Sequence, residues 1–345
     1  MKIVGIDIMK LNNRCHCYFK FPELLSEYRQ ELMGIGIIGV FSIHLSVFLT
    51  EDIIPMLLLS LTKFFPKLVY THGFLLLSGF GLYFSMAKDN DIKSFYFRRF
   101  KKLMIPFLTI SIIPIIILEQ DSFHVIKIVE LLSTLYFWID GNYCGLWYIS
   151  LMVVLYIIYP LYFFLTKQRC SVAIIFIILS FLCIYVFKSL NPAYYNLTEI
   201  ALSKIPCFFI GSWLAVCRYK KQYFAPPIMI ACFFICSKFC VHINPVCADI
   251  YSISLRCINI VFLCYIFEYF RSYSFFSYLS KFLRFFGQYS LELYLIHCFL
   301  YFVLLKIFNN TLTFEIVWAE LISVFSVIIF DIIKKSKYEN ISNRR

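Results

Sequence analysis

Long apolar runs separated by short, mostly basic loops are the feature that most limits how this chain can fold. A helix needs about 20 apolar residues to cross a bilayer core. Runs of roughly that length recur at 31–49, 68–86, 103–118, 146–165, 171–187, 200–216, 226–243, 249–268, 284–305 and 313–333. Hydrophobic residues make up 61% of the chain and charged residues only 15%, so these segments lack the polar face of a soluble helix. In lipid each backbone amide must be bonded within its own segment, which makes the runs helices. They are continuous rather than alternating, which argues against a membrane β-barrel. The expected fold class is all-α, a polytopic membrane protein with about ten transmembrane helices.

Charge supplies the orientation. With the N-terminus placed in the cytoplasm, twenty-four of the thirty-two Lys and Arg residues fall on the inner side and five on the outer, alternating at every loop. Basic residues are retained on the cytoplasmic side, so both termini are expected there. The expected organisation is a cytoplasmic leader at 1–30, one transmembrane domain at 31–333 and a cytoplasmic tail at 334–345. The formal charge of +12 then reports topology and contact with anionic lipid headgroups. Nucleic-acid binding is disfavoured, because no compact soluble domain exists to present the charge. Cys15, His16 and Cys17 in the leader lack a second cluster, so no metal is expected. The other cysteines lie mostly inside spans, as small apolar packing residues.

Ionisable groups inside a span cost several kcal/mol and are functional candidates by default. His44 lies about 13 residues into the first run and His297 about 12 into the ninth, each about 18–20 Å deep. They therefore sit at matching height. Glu292 lies nearer the cytoplasm, Arg256 in the outer half of its span, and His72 at the outer start of the second run. A buried His often does no more than bond a neighbouring carbonyl. A desolvated imidazole, however, stays neutral and can take a proton. The stretch Phe97-Arg98-Arg99-Phe100-Lys101-Lys102 opens the third run, where it satisfies the topology rule and also suits phosphate groups. The longest outer loop, 119–145, is placed to cover the outer mouth of a site.

These residues carry a resemblance. The first run, ELMGIGIIGVFSIH, looks like the opening helix of the acyltransferase 3 family, which ends in an essential His, here His44. Five further segments follow in the family's order. HGFLLLSGFGLYFS matches its FFxxSGF segment at Ser78, Gly79 and Phe80. FYFRRFKKLMIPF matches its RRxxRxxP run at Arg98, Arg99, Lys102 and Pro106. LWYISLMVVLYIIYP matches at Trp147, Tyr156 and Pro160. SKIPCFFIG resembles its IPxFxxG element, with Lys204 where Arg is common. FGQYSLELYLIH matches GxxSxxxYLxH at Gly287, Ser290, Tyr294 and His297. One departure stands out. The family's usual Arg, eleven residues before the first His, is here Met33, and Arg29 lies one turn lower on the same helical face.

The resemblance implies transfer of an acyl group, commonly acetyl, from cytoplasmic acyl-CoA to a cell-surface or lipid-linked glycan. The setting it suggests is a bacterial plasma membrane, with membrane lipids as further partners. On that reading His44 is the base or acyl relay, with His297 orienting the acceptor or tuning His44. Arg29, Arg98, Arg99 and Lys102 hold coenzyme phosphates. His72, Ser78, Tyr156, Arg256 and Glu292 line the passage or position substrate. Two other classes remain open from the residues alone. A glycan transporter or flippase also uses many helices and intramembrane charges, but the sequence contains no evident inverted repeat. A polysaccharide polymerase favours large outer loops, and only 119–145 qualifies.

Overall fold

A computed structural model describes residues 20–48, 56–122, 124–141, 143–166, 169–241, 246–308 and 315–342, and among these the chain is helical throughout. The Cys15, His16 and Cys17 group lies outside the described residues. In chain order the helices are α1 Phe21–Glu27, α2 Arg29–Phe48, α3 Met56–Leu68, α4 Tyr70–Lys88 and α5 Ile92–Leu118. Then come α6 Val125–Leu132, α7 Tyr136–Asp140, α8 Trp147–Thr166, α9 Cys170–Leu190, α10 Pro192–Leu202 and α11 Ile205–Tyr219. The last are α12 Ala225–Cys240, α13 Val246–Phe270, α14 Ser274–Gln288, α15 Ser290–Phe308 and α16 Glu315–Ser342.

Eight helical stretches among the described residues are long and apolar enough to cross a membrane, which corrects the expected ten to about eight. Two of the expected runs fall short. The helix over 226–243 is apolar but spans only Ala225–Cys240. The first run corresponds to α2, whose opening turn carries Arg29, Gln30 and Glu31. That helix lies within the bundle all the same, packed against α3, α4 and α14. Glu31 at its start is fully buried and accepts from Arg284 Nε and Ser280 Oγ of α14, each at 2.7 Å.

Burial separates centre from periphery. Over an 18-residue apolar window, 78% of Pro192–Tyr219 and 67% of Leu59–Lys88 is buried, against 17% for α9 and 22% for α5. The first two therefore make the core, and α5 and α9 turn most of their surface outward. The tightest junction is α4 on α11. A Cβ added to Gly79 would lie 2.0 Å from the Phe208 carbonyl oxygen, and one added to Gly211 would lie 1.8 Å from that of Leu76. Only glycine allows backbones this close, the small-residue mode of packing that helices use in lipid.

Local signals agree with the ends of these helices. Asp91 caps α5 by accepting from the backbone amides of Lys93 and Ser94. Asn191 caps α10 ahead of Pro192, a residue suited to a first helical turn. From residue 20 on, the leader is part of the fold. Tyr28 donates to Glu268, Tyr223 donates to Glu23, and Arg218 donates to Ser26. The stretch 119–145 folds into α6 and α7, tied back by Lys127 to Glu119 at 2.8 Å and Tyr143 to Glu119 at 2.7 Å.

Candidate active site

Five helices direct polar residues into one narrow cavity of about 80 Å³. Helix α4 supplies Thr71, Phe74, Ser78 and Leu82, spaced i, i+3, i+7 and i+11 and hence on one face. Helix α2 supplies Arg29 and Met33, and α5 supplies Arg99, Lys102 and Leu103. Tyr148 and Tyr156 come from α8, and Ser290, Leu291 and Tyr294 from α15. Arg29 thus reaches the cavity beside Met33, the position where the sequence departs from the motif.

Arg29, Arg99 and Lys102 gather at one end. Among the described residues the ion pairs all involve other cations. Arg29 Nε and Arg99 Nε are buried without a hydrogen-bond partner. Like charges held together with unpaired buried donors are a standing demand for an anion. Arg98 is placed elsewhere. It is absent from the cavity lining and exposed, with Nη1 bonded to Asp89 at 2.9 Å. Glu292 is also absent from the lining, although Lys102 and Lys334 lie within electrostatic range of it.

The other end closes against Tyr294, whose ring lies 5.8 Å from that of His297 one turn along α15. The structure brings His297 and His44 together, with ring centroids 5.1 Å apart. His297 is fully buried and its Nδ1 lies 2.9 Å from the Leu293 carbonyl oxygen. A carbonyl only accepts, so Nδ1 carries the hydrogen and Nε2 keeps its lone pair. Cys298 Sγ is 3.4 Å from that Nε2, and Phe41 packs on the ring at 4.8 Å. The pair is therefore a proton acceptor of fixed tautomer beside a second, half-buried imidazole.

The segment after α7 ends at this pair. Tyr294 Oη donates to the Gly145 carbonyl at 2.5 Å. Gly145 has φ +76°, and a Cβ there would lie 2.9 Å from Cys298 Sγ, so the close approach needs glycine.

His72 is placed differently from Ser78 and Tyr156. It lines a second cavity of about 480 Å³ beside the first turn of α4, together with Lys204. Arg256 lies near His72 and Tyr70, with Nε and Nη1 buried and unpartnered. Sequence reasoning did not find Thr71, Phe74 or Tyr148. The helical repeat through Ser78 points to the first two, and the two-turn spacing from Tyr156 points to Tyr148. Nothing in the sequence signals that Gly145 and Cys298 meet at His297, since that contact is long-range.

A family model described as an acyltransferase domain matches residues 32–334. No curated protein and no solved structure matches the chain.

Proposed function

Because the chain belongs to the acyltransferase 3 family and is an integral membrane acyltransferase, we propose that it moves an acyl group, most simply acetyl, from acyl-CoA to a hydroxyl of a cell-surface or lipid-linked glycan. The observation that carries this reading is a single cavity with two ends. Arg29, Arg99 and Lys102, none of them in an ion pair among the described residues, stand at one, and Tyr294, one turn from the His44–His297 pair, closes the other. Three cations suit the phosphates of a coenzyme, and paired imidazoles suit hydroxyl activation. On helix α2 the fifteen residues from Arg29 to His44 rise about 22 Å, so the donor is held extended, with its thioester toward the imidazoles.

In the proposed step His44, supported by His297, takes the proton of the acceptor hydroxyl. The oxygen attacks the thioester carbonyl carbon, and the C–S bond breaks as the C–O ester bond forms. The imidazolium returns its proton to the leaving thiolate, giving an ester and a free thiol. Ser78 and Tyr156 line the passage of the acyl-bearing arm. The basic face is assigned to the cytoplasm of a bacterial plasma membrane, with both termini there.

The test is to supply membranes containing the protein with acetyl-CoA labelled in the acetyl group and to recover the glycan fraction. Base-labile label on glycan, absent from membranes lacking the protein, is expected. Glycan that crosses the membrane unlabelled would overturn acyl transfer in favour of transport.

A further inference from the structure

The second cavity is built from different material. Six of its lining residues are His72, Asn196, Glu199, Ser203, Lys204 and Asp249, drawn from α4, α10, the α10–α11 junction and α13. Its volume of about 480 Å³ falls in the range of small-molecule sites. His72 is only 8% exposed and its Nδ1 has no hydrogen-bond partner. Lys204, also 8% exposed, is fixed by the Ile200 carbonyl at 2.5 Å and lies over the Trp147 ring at 5.1 Å. Buried His72 and Lys204 thus meet half-buried Glu199, Ser203 and Asp249 and exposed Asn196 around one open volume.

Position links this cavity to the first. Thr71 lines the donor cavity and His72, the next residue on α4, lines the second. Consecutive helical residues differ by about 1.5 Å of rise, so both cavities flank one turn. The Tyr70 ring packs 6.3 Å from that of His72.

Charge sets the ligand class. Glu199 and Asp249 line the cavity with Lys204; outside the lining, Lys188 Nζ is 3.8 Å from Asp249 and Arg256 lies near His72. Two carboxylates oppose an anionic ligand and two ammonium groups oppose a cationic one. Carboxylate, amide and hydroxyl groups together accept from and donate to neighbouring hydroxyls, the pattern an uncharged polyol requires. We propose that this cavity is the acceptor site and that it takes an uncharged saccharide through adjacent hydroxyl groups, a reading that rests on the acyl-transfer function above.

Full-length protein in lipid nanodiscs tests this by direct binding, independent of catalysis. The probes are maltohexaose and a dextran oligomer as neutral saccharides, with an alginate oligomer as the acidic one, read by saturation-transfer NMR. The neutral probes should bind, the alginate oligomer at least tenfold more weakly. The double variant Glu199→Gln/Asp249→Asn should weaken neutral binding at least tenfold while acetyl-CoA binding is unchanged. Asp140→Asn, outside the cavity, should bind as the unmodified chain does. Equal binding of alginate, no binding of either neutral probe, or a double variant that is folded and binds normally would overturn the proposal. Saccharide binding without acetyl transfer would instead sink the acyltransfer reading and leave the cavity assignment standing. Transfer assays with free and with polyprenyl-diphosphate-linked oligosaccharide, each at varied concentration, then distinguish the two sources of the same ligand.

Discussion

Replacing His44 by Ala separates chemistry from architecture. Its ring meets that of His297 at 5.1 Å, and among the described residues it makes no hydrogen bond. Its removal therefore leaves no buried partner unsatisfied. Arg29 lies about 22 Å away along the same helix, so the cation cluster that would hold the donor is undisturbed. Loss of a general base costs about 10²–10⁴ in rate, or roughly 2.7–5.5 kcal/mol of barrier. His44→Ala protein should purify with normal yield and melting temperature and bind acetyl-CoA with unchanged affinity. It should transfer acetyl at no more than about 1% of the normal rate. The assay pairs single-turnover label transfer with calorimetric donor binding on one preparation. A folded variant that turns over within threefold of the parent would refute the assignment. A variant that loses donor affinity and stability together would mean that His44 holds the bundle rather than the proton.

Arg99→Ala should raise the donor concentration for half-maximal rate at least tenfold, whereas Arg98→Ala, whose exposed guanidinium is already paired with Asp89, should change it less than threefold; donor titrations of both variants decide. Gly211→Ala forces α4 and α11 apart where a Cβ would lie 1.8 Å from Leu76 O, and should destabilise the fold by roughly 1–3 kcal/mol, seen as a lower melting temperature. Tyr294→Phe removes the bond to the Gly145 carbonyl and should lower kcat with the donor KM within twofold, because the cation cluster is untouched. In a background stripped of interfering cysteines, an impermeant thiol reagent added from outside should label Asp140→Cys and not Lys101→Cys; the reverse pattern would invert the orientation.

Hydropathy alone carried the all-α membrane architecture, since a run such as 171–187 has no other way to satisfy its backbone in lipid. It overcounted the spans because α2 and α12 are apolar like the others, and only the described helix lengths and the polar turn at Arg29–Glu31 set them apart. Residues that repeat on one helical face were within reach, as Thr71, Phe74 and Ser78 illustrate. So was the matching height of His44 and His297, which follows from counting residues along two helices. Arg98 and Arg99 could not be told apart, because which of two adjacent cations turns inward depends on the rotation of α5 against α15. The pairing of Gly79 with α11 and of Gly211 with α4 was equally hidden, although both glycines belong to recognisable motifs: a motif states that glycine is required, and only the crossing of two helices states why.

Thr71 and His72 share one turn of α4 yet line different cavities, so under the proposed chemistry neither substrate has to cross the bilayer. What crosses is an acyl group moving outward, while the hydroxyl proton it displaces ends on a thiol on the inner side. An acylium equivalent travelling one way against a proton travelling the other transports no net charge. Turnover then draws on the thioester bond alone, indifferent to membrane voltage and to uncouplers. On that reading, a boundary carried by one turn of α4 would let an interior acyl donor modify an exterior acceptor without short-circuiting the gradient across the membrane.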